Sequence, residues 1–600
     1  MSLLEKRLFG ILSLAVFVIV LLRAIEVPLF HDEVRTFNHY IKSGILSPYS
    51  EYRAANNHLV NTFLARLSYL VFGDSPFSLR LPNVLSFLVY SYFVYKITSW
   101  FKSRLGRWTF VSLSLLSFHF VSFFGLSRGY GIGFAFLVAG IYFLGEFMRT
   151  IKVKHLIFLV VSFSIALYSF FSLLLVTLIA VSVVIYKLFT SWDDISKGVK
   201  IKSSVVLIIF LGIIAYAISI LFYYRGFDIL WFGFLEGFWK NTVITLIVLL
   251  IEPDTYLGVL EVLTVLFFVA MMFFYLRSFR LDQWVNRSNL FFVFLVLNVI
   301  GIIVLAEFFA VNYPYQRTGI HLYVLFIGSF SFMIDGLKDD KLRYFLFSPV
   351  LILPFHFIAL FNFDYISQWE EDTLPYSFFE TLKKEEELTT KDYKSSLYIE
   401  GTAISVWTYG AYKWYPNLPV CSSNIDKNKR FYDYVIDKKP NMESIEYLYD
   451  SIDSQPHSDV TLYKRKRHVK KNLLESFYSN ERISSNKDKL FSNFVVDSLA
   501  SSSLWFNFET KIKFIDYPMH VYLVFSMEDP ITHEKYSYKF IEFDRFLDWR
   551  NENHKIYTEL ANDLPLNKPV EIKIYLWNRF ERNYEIRFSK LDIYSIDQTS

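Results

Sequence analysis

The chain is poor in cysteine and in net charge, and it has no internal repetition. Its 600 residues include a single cysteine, Cys421, which excludes an internal disulfide framework and a cysteine-rich metal site. The 61 basic and 57 acidic residues leave a formal net charge of only +4, so the charge balance does not indicate nucleic-acid binding. There is no repeat of fixed period and no low-complexity tract.

Hydrophobic residues dominate the composition. They make up 53% of the chain, aromatic residues make up 20%, and the mean hydropathy is +0.32. Several runs approach the roughly 20 apolar residues that cross about 30 Å of hydrocarbon. The sequence therefore predicts a polytopic α-helical membrane protein with about 11 spans. The predicted spans are 8–28, 79–99, 108–126, 130–147, 154–167, 169–187, 202–224, 257–276, 288–310, 318–335 and 343–361.

Two of the apolar segments could be something other than ordinary membrane spans. The first span ends in VPLFHDE, which offers no small-residue cleavage site, so we expect a retained anchor and not a cleaved signal. The stretch ITLIVLLI at 244–251 is too short to cross and is expected to be a re-entrant or surface segment.

The basic residues of the loops predict an orientation. With a cytoplasmic N-terminus, the inner segments carry 18 Lys and Arg residues and the longer outer segments carry 8, as the positive-inside rule requires. We therefore expect a bacterial inner (plasma) membrane protein. Its outer face would carry the 30–78 loop, the 225–256 loop and the C-terminus.

The composition changes after Phe361, where charged and polar residues dominate. A helical pattern (SFFETLKKEEELTTKDY) and short strands (SLYIEG, VTLYKR) predict a small extracytoplasmic α/β module. Alternating strands such as WFNFETKIKFI and HVYLVFSM then predict a β-sandwich. The predicted domains are 1–365 (transmembrane), 366–470 (α/β module) and 471–600 (β-sandwich).

His31, Asp32 and Glu33 directly follow the first span, where acidic groups can meet a lipid-borne substrate. Neighbouring residues on a helix point about 100° apart, so the two carboxylates would have different roles. One division has Asp32 accepting a proton while Glu33 orients a partner or a metal ion. The alternative is that Asp32 caps the first of two amphipathic surface helices expected in the 30–78 loop.

Asn57 and His58 open the second surface helix. An amide beside an imidazole can bind a sugar hydroxyl, or His58 can join Glu33 around a divalent metal ion. Their separation has no fixed ligand spacing, so a metal site has weak support. The alternative is structural, since Asn commonly caps helices.

Arginines lie at the outer membrane edge. Insertion into the apolar layer costs about 2.5–3.5 kcal/mol, so arginines near this layer usually have a partner. The partner is either a lipid headgroup or the phosphate of a long isoprenoid carrier, which a guanidinium can bind through two parallel hydrogen bonds. The candidates are Arg80, Arg128 and Arg317, with Tyr130, Tyr313 and Tyr315 beside them and Arg225 as a weaker fourth.

Three stretches together with the acidic pair carry a resemblance to a known family. They are GDSPFSLRLPNVLSF, FGLSRGYGIGFAFLVAGIYFL and YPYQRTGIHLYVLF. Their order resembles the GT-C superfamily of membrane glycosyltransferases, in particular the protein O-mannosyltransferase and lipid A aminoarabinose transferase group. The resemblance extends over residues 1 to about 335. The C-terminal module departs from it, because it has no trefoil signature of the eukaryotic mannosyltransferases.

The resemblance implies transfer of a sugar from a polyprenyl-phosphate donor to an extracytoplasmic acceptor, with inversion at the anomeric carbon. Asp32 matches the family's catalytic acidic residue, which would act as a general base, and Glu33 matches its neighbour. Arg128 and Arg317 match positions near the donor phosphate. The acceptor is a protein, a lipid or a glycan, and the sugar is not specified.

Two other functions are compatible with the composition. A transporter or flippase of a lipid-linked saccharide would place its charges near the bilayer midplane within paired repeats, whereas these charges cluster at the outer edge. A membrane-anchored glycan-binding protein would use aromatic residues of the β-sandwich, although such residues more often belong to a core. The candidates are Trp505, Trp549 and Trp577.

Overall fold

A computed structural model of the chain describes most of its residues. The described residues are 1–49, 57–227, 230, 233–252, 256–278, 285–388, 395–399, 403–415, 418, 429–455, 457–499, 503–515, 521–542, 554–561 and 564–596. Cys421 and Trp549, both singled out from the sequence, lie outside them.

The chain forms two compact units. The membrane unit consists of Met1–Val27 and Tyr40–Phe363, and the C-terminal unit consists of Pro28–His39 and Asp364–Ser600. The predicted transmembrane domain, 1–365, therefore differs from the membrane unit mainly at one segment, because Pro28–His39 groups with the C-terminal unit.

The membrane unit is built from helices whose starts are encoded locally. Ser2 caps the first helix, where its hydroxyl accepts a hydrogen bond from the Glu5 backbone N–H at 3.2 Å. The Ser75 hydroxyl likewise accepts a hydrogen bond from the Ser78 backbone N–H at 3.1 Å, at the start of the helix Pro76–Thr98. Pro76 occupies the first turn of this helix. The helices are α1 Leu3–Glu26, α3 Leu59–Phe72, α4 Pro76–Thr98, α5 Arg104–Leu115, α6 Phe118–Ser122, α7 Tyr130–Thr150, α8 Val153–Ser169, α9 Leu174–Thr190, α10 Lys197–Arg225, α11 Thr245–Ile251, α12 Leu257–Ser278, α13 Leu290–Phe309, α14 His321–Gly336, α15 Asp340–Phe347 and α16 Leu353–Leu360; α2 His31–Thr36 belongs to the C-terminal unit.

Within the described residues, eight helical stretches are long and apolar enough to cross a membrane, and a ninth forms if the bent pair α5 and α6 is one span. The shorter apolar helices α8 and α14 match the two remaining predicted spans. Each of the eleven predicted spans thus coincides with a helical segment, and the polytopic fold class is confirmed.

The outward faces of these helices are apolar. In α12, Val262, Leu266 and Phe273 are exposed, and α10 exposes Ile208 and Phe222 in the same way. Water-facing surfaces rarely carry continuous apolar area of this kind, whereas a lipid environment requires it. The chain is an integral membrane protein.

The segments between the spans also contain helices. A surface helix predicted from the FNHYIKSGIL stretch begins earlier than expected, as α2, and continues as a π-helix over Phe37–Lys42. The second predicted surface helix is α3. The 244–251 segment is helical as α11 and follows a π-helix over Trp239–Ile244.

The C-terminal unit combines a mixed sheet with two antiparallel sheets. The mixed sheet has the order β1-β2-β4-β3 and a parallel β1–β2 pair, and helices α17 Tyr376–Leu388, α18 Ala403–Trp414 and α19 Lys439–Met442 accompany it. The antiparallel sheets have the orders β10-β9-β12-β7 and β11-β8-β13-β5, with β6 pairing β13. The strands are β1 Leu397–Ile399, β2 Tyr434–Lys438, β3 Tyr449–Ser454, β4 Val460–Arg465, β5 Lys471–Ser479, β6 Ile483–Ser485, β7 Lys489–Val496, β8 Leu504–Phe514, β9 Val521–Glu528, β10 Lys535–Glu542, β11 His554–Ala561, β12 Val570–Asn578 and β13 Tyr584–Ile596.

Alternating side chains form the core of this β-rich part. Val570, Ile572 and Ile574 of β12 face inward with no exposed area, as the period of two in a strand requires. They share one hydrophobic cluster with Phe379 and Trp407 of the α/β part, whose rings stack at 4.5 Å. The α/β and β-sandwich parts therefore pack around a common core.

Candidate functional site

The SRGYG turn before α7 is buried in the membrane unit. Ser127, Arg128 and Tyr130 expose 1%, 3% and 2% of their surface. Since a guanidinium is always protonated, Arg128 is a fixed positive charge in a unit made mostly of apolar helices. Burial of a charge in such surroundings is costly and is typical of a functional position.

The start of α3 forms one wall of this turn. Asn61 donates from its side-chain amide to the Ser127 carbonyl at 3.1 Å. His58 Nδ1 lies 2.7 Å from the Ser169 carbonyl at the end of α8. A carbonyl oxygen only accepts, so Nδ1 of His58 carries the hydrogen. His58 is the cap residue of α3, and Asn57 instead accepts a hydrogen bond from Thr62 Oγ1 at 2.9 Å.

Asparagine amides join α3, α4 and α7 behind the turn. Asn83 of α4 donates to the side-chain oxygen of Asn61, and its own oxygen accepts from the Ile132 backbone N–H at 3.2 Å. Both asparagines are fully buried. The sequence interpretation missed this pair, although each is a lone amide in an apolar helical run, a pattern that indicates an interhelical hydrogen bond.

Close packing excludes a side chain at Gly129. A Cβ atom there would lie 1.8 Å from the Ser169 carbonyl oxygen and 2.8 Å from His58 Nδ1. Gly129 thus lets the backbone of the turn approach α8 and the His58 ring directly.

Aromatic rings complete the surroundings of the turn. The Tyr130 ring lies 5.2 Å from the His58 ring and 5.0 Å from the Phe170 ring. Phe170 is in turn 6.4 Å from the ring of His321 at the start of α14. We call the set Asn57, His58, Asn61, Asn83, Ser127, Arg128 and Tyr130 the polar cluster.

An apolar groove lies between the helices that carry the amide network. Its volume is about 450 Å³, and Leu64, Leu81, Leu85 and Phe136 are among its lining residues. It is bounded by α3, α4 and α7, so it runs along the same helices as Asn61 and Asn83. Its apolar lining suits a hydrocarbon chain.

Arg80 has a structural environment in α4. Its side chain is fully buried and donates to the carbonyl of Val27 at 2.6 Å and to that of Ala24 at 3.4 Å. These carbonyls end α1, so the guanidinium satisfies acceptors that the helix leaves open. Arg80 therefore caps the end of α1, and the phosphate contact expected from the sequence stays a prediction.

Tyr315 and Arg317 lie in another turn, which packs on the 234–245 segment. The Tyr315 ring is 5.6 Å from the Phe234 ring, and Thr242 Oγ1 donates to the Pro314 carbonyl at 2.7 Å. Arg317 is half-buried. The weaker candidate, Arg225, donates to the Phe309 carbonyl at 3.2 Å.

Asp32 and Glu33 lie in the first turn of α2, within the C-terminal unit. Phe30 is the cap residue, so Asp32 does not cap the helix as the alternative interpretation expected. The Glu33 carboxylate instead accepts a hydrogen bond from the Phe30 backbone N–H at 3.4 Å, as in a capping box. Asp32 and Glu33 are 8% and 1% exposed.

His31 lies between two carboxylates. Its Nδ1 is 2.7 Å from Oδ2 of Asp372, and its Nε2 is 3.3 Å from Oδ1 of Asp32. Burial alone would lower the pKa of His31, but the hydrogen bonds and negative charges of Asp32 and Asp372 outweigh it and raise the pKa to about 9. His31 is therefore an imidazolium at neutral pH, a state that sequence reasoning did not foresee.

Aromatic contacts fix α2 on the rest of the C-terminal unit. The Phe30 ring stacks on Trp369 at 4.0 Å, and the Phe37 ring meets Tyr409 of α18 edge-on at 5.9 Å. Phe30 and Phe37 are fully buried or nearly so. The residues that hold α2 begin more than 300 positions later in the chain, so no local pattern could have indicated them.

Apart from Arg80 at the end of α1, the predicted site residues thus fall into three groups. Asn57, His58, Arg128 and Tyr130 gather in the polar cluster of the membrane unit, while Tyr315 and Arg317 share a separate turn. His31, Asp32 and Glu33 form the acidic helix of the C-terminal unit.

The described residues contain one group of three potential metal ligands within reach of a single ion. It consists of Glu528, His533 and Glu571 on the β-sandwich. Lys573 forms ion pairs with both of its carboxylates, so this group already has a counter-charge. On the same domain, Trp505 is buried and Trp577 is partly exposed.

No protein-family model matches the chain. No curated protein matches it either. Among solved structures, ArnT from Cupriavidus metallidurans in the apo state is similar at 11% identity and a TM-score of 0.40, covering 76% of this chain and 98% of its own. ArnT bound to undecaprenyl phosphate gives 11% identity and a TM-score of 0.40, with 77% of this chain and 98% of that chain covered.

A third solved structure is arabinosyltransferase EmbB from Mycobacterium smegmatis. It shares 9% identity at a TM-score of 0.37, covering 96% of this chain and 66% of its own.

Proposed function

We propose that the protein is a membrane glycosyltransferase that moves a sugar from a polyprenyl-phosphate donor to an extracytoplasmic acceptor, with inversion at the anomeric carbon. In this proposal the N-terminus is cytoplasmic, and the C-terminal unit lies outside a bacterial inner membrane. The observation that carries the proposal is the buried charge of Arg128 within the polar cluster.

The donor chemistry requires a cation beside an apolar path. A polyprenyl-phosphate sugar carries one anionic phosphate and a long hydrocarbon chain. Arg128 supplies a fixed guanidinium that matches phosphate oxygens in pairs, and the groove between α3, α4 and α7 suits the hydrocarbon. As the bond from the anomeric carbon to the phosphate oxygen breaks, Arg128 stabilises the negative charge of the leaving phosphate without rearranging.

The acceptor chemistry requires a base. Asp32 takes the proton of the acceptor hydroxyl while the hydroxyl oxygen forms the new bond to the anomeric carbon, opposite the departing phosphate. A placed general base of this kind contributes about 10²–10⁴ in rate. Glu33 holds the first turn of α2 through Phe30, so its contribution is to the position of Asp32.

Asn57, His58 and Tyr130 are the groups we assign to donor recognition in the polar cluster. Amide, imidazole and phenol groups offer the mixed donors and acceptors that a sugar or a phosphate needs. Tyr315 and Arg317 remain a secondary phosphate-binding proposal, supported by the half-buried position of the Arg317 side chain.

The test compares cells that make wild-type protein with cells that make Asp32→Asn or Arg128→Gln. Mass spectrometry of glycans, glycolipids and glycoproteins should show one sugar addition that depends on the wild-type protein. Both variants should reduce it at least 100-fold at equal amounts of folded membrane protein, because one loses the base and the other the phosphate contact.

Arg104→Gln is the matched control, since its side chain is 70% exposed and lies outside the polar cluster. It should keep the wild-type glycan pattern. Wild-type product levels with Asp32→Asn would overturn the role of Asp32, and identical profiles with and without the wild-type protein would overturn the proposed function.

A further inference from the structure

Two residues of one 3-10 turn hold the residues just ahead of Asp32. The turn covers Ser367–Asp372, and within it Trp369 stacks on Phe30 while Asp372 binds His31. Phe30 and His31 are consecutive, so the ring and the carboxylate of the turn fix the start of α2 at two adjacent points.

The geometry of an imidazole makes this contact directional. Nδ1 and Nε2 lie on different sides of the ring, so a hydrogen bond at one nitrogen sets where the other points. With Nδ1 held by Asp372 at 2.7 Å, Nε2 of His31 is directed to Asp32 Oδ1 at 3.3 Å. Since both neighbours are carboxylates, both nitrogens donate.

We propose that Asp372 is a positioning residue of the transfer reaction, acting through His31 on Asp32. This inference rests on the proposed function for the role of Asp32. It assigns residues 364–372 a function that the sequence does not indicate. Asp372 touches neither donor nor acceptor in this scheme, and its effect is on the orientation and charge of the base.

The arrangement parallels the use of a carboxylate to orient a catalytic imidazole, with one difference. Here the oriented imidazolium is itself the support, and a second carboxylate is the base. The positive charge of His31 lies beside the carboxylate that is to accept the proton.

The experiment uses the purified full-length protein in lipid nanodiscs. The donors are synthetic decaprenyl-phosphate hexoses and pentoses, native membranes supply the acceptor, and released decaprenyl phosphate is measured. Asp372→Asn should lower kcat at least tenfold and change the KM for the donor less than twofold. Asp372→Glu, which restores a carboxylate, should recover part of the lost kcat.

A double-mutant cycle supplies the second measurement. His31→Gln combined with Asp372→Asn should lower kcat no further than the more severe single variant, because both break one chain of contacts. Glu387→Gln on α17, whose side chain is 65% exposed, is the matched acidic control and should behave as wild type.

The outcomes separate the two proposals. An inactive wild-type protein with every donor overturns the proposed function and this inference with it. An active wild-type protein whose kcat is unchanged in Asp372→Asn overturns the inference alone. If the two single substitutions multiply in the double variant, Asp372 does not act through His31 and the inference fails.

Discussion

Gly129 shows at the residue scale how closely the polar cluster is packed. Its backbone φ of −68° suits any residue, so space and not conformation demands glycine there. The atom that a Cβ would meet at 1.8 Å is a backbone carbonyl oxygen, which cannot rotate away. One added methyl group must therefore move the turn, α8 or the His58 ring.

Gly129→Ala should consequently abolish sugar transfer and lower stability by up to about 3 kcal/mol, the upper range for overpacking. Thermal unfolding in detergent and the glycan profile of the cells measure the two effects. Gly10→Ala is the matched control, because a Cβ at Gly10 meets no atom within 4 Å. Equal behaviour of the two alanine variants would contradict the close packing of the turn.

The raised pKa of His31 predicts that its contribution to stability depends on pH. Its folded-state pKa of about 9 lies above the ordinary value of 6.5. The stabilisation that its proton contributes is therefore complete below about pH 6.5 and is lost as the pH rises through 9. Thermal unfolding of wild type and His31→Gln should differ most at pH 6 and least at pH 10. A difference that stays constant over this range would contradict the ion pairing of His31.

The end of α1 is held by a side chain from another helix. α1 stops at Glu26, and the buried Arg80 of α4 donates to the carbonyls of its final turn. A charged donor in such a contact contributes about 1.5–3 kcal/mol, and its removal leaves buried acceptors unsatisfied. Arg80 thus joins two helices of the membrane unit.

Arg80→Met should therefore lower the unfolding temperature in detergent while leaving transfer per folded molecule close to wild type. Arg104→Met, at an exposed position, should change neither quantity. The opposite result, normal stability with lost transfer, would instead support the donor-phosphate role predicted from the sequence.

The division into two units matters at the scale of the whole molecule. Pro28–His39 lies between two parts of the membrane unit in sequence yet belongs to the C-terminal unit. Its buried side chains Phe30 and Phe37 pack on Trp369 and Tyr409 of the C-terminal unit. Without them about 1.5–3 kcal/mol per large apolar side chain would be lost.

A chain that ends at Phe363 should accordingly be cleaved by trypsin after Arg35 at least tenfold faster than the full chain. Mass spectrometry identifies the fragment, and Arg35→Gln should remove it. Equal cleavage rates in the two proteins would show that α2 is stable without the C-terminal unit.

Much of the fold was predictable because its signals are local. The predicted spans depend on runs of about 20 apolar residues. The strands VEIKIYLWN and YEIRFSKLDIYSI depend on the alternation of apolar and polar residues. Each of these segments has the expected secondary structure. The starts of α2 and α3 were harder, because Phe30 and His58 are the cap residues in place of the expected Asp32 and Asn.

The candidate site can be anticipated from the sequence in part. The turn around Arg128 is marked by a charge and glycines between two apolar runs, so the sequence names its residues as candidates. It does not show which partners the amides of Asn61 and Asn83 have, because hydrogen bonds between helices have no fixed sequence spacing. Nor does it show which carbonyls the buried guanidinium of Arg80 meets.

Hydrophobic runs and charge are properties of neighbouring residues, so the amino-acid sequence is enough to establish a polytopic membrane protein with a polar C-terminal part. The fold was needed to place α2 in the C-terminal unit and to pair His31 with Asp372, 341 residues away. A carboxylate and an imidazole pair by distance in space, and folding brings together groups that the chain keeps far apart.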